Sequence, residues 1–184
     1  MKLKQTIQIV LSMLLVAAST ASFAGRQGIN FLYGIGGGGI YADSSNPAID
    51  YDVAPSGNVF IGFEEDGWAI EYASFKSIES GTSVAGYDYS VSGTQASLAY
   101  RSVERGRTYF KIKYGNADFD YSYSDNSETL TDGKIYGVGI GWRLKRDQRL
   151  ELDYGFYSGS SGADDAHMLM MNYMFGGNLG KSGL

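Results

Sequence analysis

The chain has 184 residues, 15 basic and 20 acidic side chains, a formal net charge of −5 and no cysteine. The acidic balance argues against a nucleic-acid partner, because polyphosphate recognition needs a basic surface. Without cysteine there is neither a disulfide nor a lipidated N-terminal thiol, and 26 glycines and 15 tyrosines against two prolines read as all-β.

The N-terminal stretch MKLKQTIQIVLSMLLVAASTASFA carries Lys2 and Lys4, an apolar run from Ile7 to Ala18, and small residues up to Ala24. This pattern predicts a cleavable secretory signal peptide over 1–24. Its apolar core is shorter than the roughly 20 residues of a spanning helix. Residues 25–175 then form one domain, with a short tail over 176–184. The mature 160 residues carry 13 basic side chains, the chain's 15 less Lys2 and Lys4, against all 20 acidic ones.

Eight strand-like segments follow in order, each recognised by alternation at period two. The first, about 29–41, sets Ile29, Phe31, Tyr33 and Ile35 against Asn30, Leu32, Gly34 and Gly36. Gly34, Gly36 and Gly39 match the spacing of a dinucleotide-binding loop, but no helical pattern follows, so that reading is rejected. The second, about 51–64, turns Val59, Ile61 and Phe63 outward, and Glu65-Asp66-Gly67 is a tight-turn signal. The third places Trp68, Ile70 and Tyr72 outward with Glu71 inward. In the fourth, about 87–102, Ala96, Leu98 and Tyr100 oppose Tyr87, Tyr89 and Val91 in parity, which predicts a bulge near Gly93.

The fifth segment, about 107–117, has Phe110, Ile112 and Tyr114 outward with Lys111 and Lys113 inward. The sixth, KIYGVGIGWRL over 134–144, has one bulky wall (Tyr136, Val138, Ile140, Trp142, Leu144). Its other wall is almost bare: Ile135, Gly137, Gly139, Gly141 and Arg143. Glycine weakens a strand interior, so three in succession predict a crowded space behind the sheet. The seventh, about 149–157, sets Leu150, Leu152, Tyr154 and Phe156 against Glu151 and Asp153. The eighth, about 167–175, presents Leu169, Met171, Tyr173 and Phe175.

Connections alternate in length. Short turns follow segments two, four and six, and longer polar loops (about 42–50, 79–86, 118–132 and 158–166) follow one, three, five and seven. That alternation is the anatomy of a transmembrane barrel, and an even strand number leaves no open edge in lipid. The loop spans 42–52, 79–88, 118–132 and 159–166 hold 12 acidic residues and no Lys or Arg, whereas Arg101, Arg105, Arg107, Lys145, Arg146 and Arg149 cluster at the short turns. Volume decides which wall faces out. The apolar parity set holds at least fourteen aromatic residues: Phe31, Tyr33, Phe63, Trp68, Tyr72, Tyr100, Phe110, Tyr114, Tyr136, Trp142, Tyr154, Phe156, Tyr173 and Phe175. An eight-stranded barrel is just wide enough for its own side chains. Turned inward these rings overfill it; turned outward they make an apolar band with aromatic belts. The expected fold is therefore an eight-stranded antiparallel up-and-down transmembrane β-barrel.

Across the mature region these alternating strands, with the closing segment HMLMMNYMF over 167–175, resemble the small eight-stranded outer-membrane barrels of the OmpA/OmpX/Ail type. The resemblance implies an integral bacterial outer-membrane location, with membrane lipid and lipopolysaccharide as surroundings. It also implies that Leu169, Met171, Tyr173 and Phe175 are a terminal signature for the barrel-assembly machinery. The chain departs from the family in carrying nine residues, Gly176–Leu184, beyond Phe175.

Glu71, Lys111, Lys113, Arg143, Glu151 and Asp153 share the inward wall near the short turns. Charges in a narrow interior must pair, so a salt-bridged, largely closed lumen is expected, with a narrow porin-like diffusion channel as the alternative. A lipid hydrolase is less favoured, because it needs a nucleophile beside a base. The single histidine, His167, has only Ser158, Ser160 and Ser161 of a Gly/Ser-rich loop nearby and no recognisable triad spacing. No cofactor and no catalytic residue are assigned. Asp118, Asp120, Asp125, Glu128 and Asp132 are weak candidates for divalent cations, since they lack an EF-hand spacing. The role read from the sequence is structural or surface-interacting, with the surface partner unspecified.

Overall fold

Alternation gives each strand two chemically different walls, and closing the sheet turns one wall into a lumen and the other into an exterior. The computed structural model describes residues 29–43, 53–82, 88–102, 107–123, 128–145, 147–159 and 165–178. The predicted signal peptide, Asp125 and residues 179–184 lie outside these. The described strands are β1 (Asn30–Asp43), β2 (Ala54–Glu65), β3 (Trp68–Ser77), β4 (Gly81–Thr82), β5 (Asp88–Arg101), β6 (Thr108–Tyr123), β7 (Glu128–Lys145), β8 (Gln148–Gly159) and β9 (Asp165–Asn178). Every pairing is antiparallel, β1 pairs with β9, and the ring closes between β3 and β5. β4 is a two-residue continuation of β3's ladder along β5. At the break between them Ser77 Oγ accepts the Val91 amide at 3.0 Å. The barrel thus has eight walls.

The hydrogen-bonded row that leaves Leu32 passes through Gly62, Glu71, Ser97, Gly115, Ile135, Tyr157 and Ala166. It returns to β1 at Ala42, ten residues further on. A stagger of that size goes with strands tilted by roughly 40°. At the Asp66-Gly67 turn both residues have positive φ, 50° and 83°. This is the twist a two-residue hairpin prefers, and Gly67 accepts its φ without strain.

Four expectations change. β5 keeps one parity throughout, with no bulge near Gly93. Tyr89 and Val91 therefore face the lumen, where each is 1% exposed. The register shift lies instead between Arg143 and Lys145 of β7. Most of the expected 118–132 loop is ladder, since β6 runs to Tyr123 and β7 starts at Glu128. Cross-strand partners kept both strands paired through a polar stretch that alternation alone could not mark. Finally, β9 continues through Asn178, pairing Gly176, Gly177 and Asn178 with Leu32, Phe31 and Asn30, so the barrel ends three residues beyond Phe175.

The bare wall of β7 has its counterpart in bulky inward groups beside it, on the neighbouring strands β6 and β8. A Cβ at Gly137 would meet the Lys113 methylenes, one at Gly139 the Asp153 carboxylate, and one at Gly141 the Tyr109 ring. The exterior is oily: Phe110 is 66% and Ile70 60% exposed, a surface stable only against hydrocarbon. Near the short turns Trp68 packs on Tyr100, with ring centroids 4.9 Å apart, and Phe31 on Phe63 at 5.3 Å. Higher on the same surface Tyr114 packs on Tyr136 at 5.2 Å. Gly139→Val is expected to destabilise the barrel by about 2 kcal/mol through overpacking, read as a lowered urea midpoint in detergent or lipid. An exposed β7 position such as Val138→Ala should move it far less.

Candidate functional site: the lumen

Two storeys fill the interior. On the short-turn side, the ends of β2, β3, β5, β6 and β8 bring their charged side chains to one level. Arg101 is the hub. Its Nε lies 2.6 Å from Glu151 Oε1, one terminal nitrogen lies 3.0 Å from Glu64 Oε2, and the other pairs with Glu71 Oε1. Lys111 Nζ meets Glu71 Oε2 at 3.0 Å, Glu151 Oε2 at 2.8 Å and Asp153 Oδ2 at 2.9 Å. Arg149 grips Glu64 with two hydrogen bonds of 2.8 Å each, the fork geometry that suits guanidinium and carboxylate. Tyr109 Oη donates to Glu151 Oε1 at 2.7 Å. Glu151 is 1% exposed and Arg101 4%.

Of the predicted lumen set, Glu71, Lys111, Glu151 and Asp153 lie inside this network. Lys113 lines the same space from above. Arg143 sits lower, opposite Arg149 in the ladder, and is not one of the residues gathered around Lys111. Arg101, Glu64, Arg149 and Tyr109 belong to the cluster without having been predicted for it. Arg101 and Arg149 read as rim charges because each adjoins a short turn. Arg101's parity with Gln95, Ser97 and Ala99 was the signal that it points inward.

Above the charges comes a row of amides. Asn172 Nδ2 donates to Asp153 Oδ2 at 3.2 Å, and Asn58 Nδ2 donates to Asn172 Oδ1 at 2.9 Å. A cavity of about 20 Å³ lies at this level, lined by Asn58, Gln95, Lys113, Asp153 and Asn172 among others. That volume suits about one water. Asn58 Oδ1, Gln95 Oε1 and Asp153 Oδ1 are buried acceptors with no hydrogen bond from described protein groups, so a water there has partners.

On the loop side the lumen is apolar. Ile40, Phe75, Tyr89, Val91, Phe119, Tyr121, Ile135, Tyr157, Met168 and Met170 form one buried cluster. Phe119 stands 4.8 Å from Phe75 and 4.2 Å from Tyr157, centroid to centroid. Paired ions thus fill the half near the short turns, where the inward charges were expected, and the other half holds an apolar core that was not expected. Isolated inward Phe and Tyr residues in polar surroundings concealed the upper core.

The remaining predicted residues stand on the exterior. Phe31, Tyr33, Phe63, Trp68, Tyr72, Phe110, Tyr114, Trp142, Tyr154 and Phe156 alternate with the buried set along their strands. So do Leu169, Met171, Tyr173 and Phe175 on β9, where Phe175 stacks on Tyr33 at 5.3 Å. His167 Nδ1 is 2.6 Å from Tyr154 Oη, and its ring lies 5.2 Å from that of Phe156. Its surroundings are an aromatic belt. Asp118 and Asp132 are register partners on the outer face of the β6–β7 hairpin, beside Asn116, Lys134 and Ser158. Asp120 is two residues above Asp118 on β6. Glu128 begins β7. Among the described residues no three His, Cys, Asp or Glu side chains gather as a metal site.

No protein-family description matches this sequence, and no curated protein sequence does. Solved structures do match its shape. Neisserial surface protein A aligns with a TM-score of 0.58 at 14% identity, over 82% of this chain and 98% of that one. The fold is that of the small outer-membrane β-barrels. The attachment invasion locus protein Ail of Yersinia pestis, crystallised with the heparin analogue sucrose octasulfate, gives 0.53 at 11% identity, over 82% of this chain and 100% of its own. The N-terminal barrel domain of Pseudomonas aeruginosa OprF also gives 0.53 at 11% identity, over 81% and 98%.

Arg101→Met leaves three carboxylates short of a shared cation, so it is expected to cost about 3–5 kcal/mol, the range for breaking a buried pair. Equilibrium unfolding in lipid checks this. Arg149→Met, at the half-buried edge of the cluster, should cost less.

Proposed function

We propose that this chain is an integral outer-membrane barrel with a structural or surface-interaction role and a lumen closed to solute flow. The observation that carries the reading is the double filling of the interior. Ions held at 2.6–3.0 Å block the lower half, and packed rings block the upper half. The cavity between them has room for about one water. The location rests on the oily exterior with its two aromatic belts and on the shared fold.

In this reading the working surface is the loop side, and the barrel is an anchor with lipopolysaccharide and membrane lipid as neighbours. The β9 residues Leu169, Met171, Tyr173 and Phe175 serve recognition by the assembly machinery. The Ail structure's sulfated ligand is not transferred to this chain, whose spans 42–52, 79–88, 118–132 and 159–166, loops and upper strand ends together, carry 12 acidic residues and no Lys or Arg and so repel a polyanion. Reconstituted in planar bilayers, the wild-type protein is expected to show no large, stable open conductance. A steady conductance of porin size would overturn the closed lumen and favour the diffusion-channel alternative.

A further inference from the structure

The outward apolar run differs in height around the barrel. On β3 it is Trp68, Ile70 and Tyr72, followed by Ser74 and Lys76. On β5 it is Tyr100, Leu98 and Ala96, followed by Thr94 and Ser92. On β6 it is Phe110, Ile112 and Tyr114, followed by Asn116 and Asp118. β7 carries five such positions, Leu144 to Tyr136, before Lys134, β8 four, Leu150 to Phe156, before Ser158, and β9 four, Phe175 to Leu169, before His167. β1 and β2 offer six without a charge or hydroxyl on the outer wall, except the Tyr33 and Tyr41 phenols. These are Phe31 to Tyr41, with Gly37 and Gly39, and Phe63 to Val53, with Gly57 and Pro55.

Each outward step is two residues, or about 5 Å of height at a rise of 3.3 Å per residue and a 40° tilt. Three positions therefore span about 10 Å and six about 25 Å, whereas a barrel's apolar band is normally about 25 Å tall. Only β1 and β2 match. On β3, β5 and β6 the shortfall cannot be recovered below, because Trp68, Tyr100 and Phe110 already stand next to the short turns. Nor can the polar residues above be read as misplaced lumen groups. At that level the inward wall is the apolar cluster of Phe75, Val91 and Phe119, so the polarity there is that of a water-soluble sheet.

We propose that the barrel thins the outer leaflet along one flank: lipid headgroups descend to Tyr72, Ala96 and Tyr114 on β3, β5 and β6, while acyl chains reach the full height of β1 and β2. The partner is bilayer lipid, and the tall flank is continuous with the rest of the lipid-facing band. Short apolar segments are accommodated by local thinning, and the exposed Lys76 stands where its ammonium group can reach headgroups, while Lys134 Nζ donates to Asn116 Oδ1 at 2.5 Å in the same polar row. This inference rests on the membrane-spanning reading above.

Thr94 and Gly57 are the informative pair. Gly57 shares a row with Lys76 and Ser92, and that row climbs about 3 Å per strand toward the loops. Thr94, one outward step below Ser92, therefore lies near the height of Gly57. The chain has no native cysteine, so Gly57→Cys and Thr94→Cys each carry a single nitroxide label. A Cβ at Gly57 makes only ordinary contacts, the nearest 3.5 Å from Ile78.

In vesicles of dimyristoyl phosphatidylcholine, relaxation of the Thr94 label is expected to respond to a water-soluble nickel chelate and that of the Gly57 label to oxygen. Wild-type refolding yield should fall from dilauroyl to dioleoyl vesicles, and Ser74→Leu/Thr94→Leu/Asn116→Leu should flatten that fall. Labels reporting the same environment at both sites, or a chain-length dependence unchanged in the triple variant, would overturn the proposal. If the wild type inserts into none of these vesicles, by heat-modifiable gel mobility, the membrane-spanning reading falls and the thinning with it.

Discussion

An eight-stranded barrel has room inside for little more than one layer of side chains, and this limit organises the molecule. Wherever one strand sends in a long group, the residue beside it on the neighbouring strand must withdraw. Gly137, Gly139 and Gly141 of β7 yield to Lys113, Asp153 and Tyr109, and Gly36 of β1 yields to Asn58 and Asn172. The glycines are consequences of the filling, and each has an identifiable occupant of its space. Overfilled or underfilled, the same backbone would strain or leave voids, both of which destabilise a packed interior.

The filling changes chemistry half-way up, and the exterior changes with it. Near the short turns the barrel is ionic within and oily without. Near the loops, along β3 to β6, it is oily within and polar without. A single-wall rule therefore describes neither half alone. The switch follows the surroundings: within the bilayer lipid already solvates the outer face, so the interior is free to be polar. Above the bilayer, water surrounds the wall, and burial of Phe75, Phe119 and Tyr157 has to stabilise the strands as in a soluble sheet.

How much of this was legible in the sequence follows from the same division. Period-two alternation fixed the oily exterior residue by residue, because a one-residue error would put a charge in lipid. It also exposed Glu71, Lys111, Glu151 and Asp153 as inward charges, since each stands between two large outward apolar residues. Arg101 and Arg149 were hidden by adjoining turns, where a cation is unremarkable. Tyr89 and Val91 were misread because, in the upper half, apolar residues point inward. Reconciling them with Leu98 and Tyr100 then demanded a bulge that β5 does not have. The hairpin extension to Tyr123 and Glu128 left no alternation of the expected kind, its outward positions being Asp118, Asp120 and Asp132.

Ion pairs in the lower lumen are a costly way to fill space, since desolvation offsets most of their attraction and an apolar plug would serve stability as well. Their contribution is directional. Arg101 on β5 reaches partners on β2, β3 and β8, and Lys111 on β6 reaches β3 and β8. Apart from Arg101 to Glu71, which joins the paired strands β5 and β3, these contacts tie walls that are not neighbours in the ladder. A strand that slips by one residue exchanges its two faces. For β5 that slip would carry Arg101 into hydrocarbon and leave Glu64, Glu71 and Glu151 without their shared cation. Apolar side chains penalise such a slip weakly, because lipid and an oily plug are similar solvents for a leucine. A charged hub penalises it twice, once outside and once inside, and so sets the ten-residue stagger that closes β3 on β5.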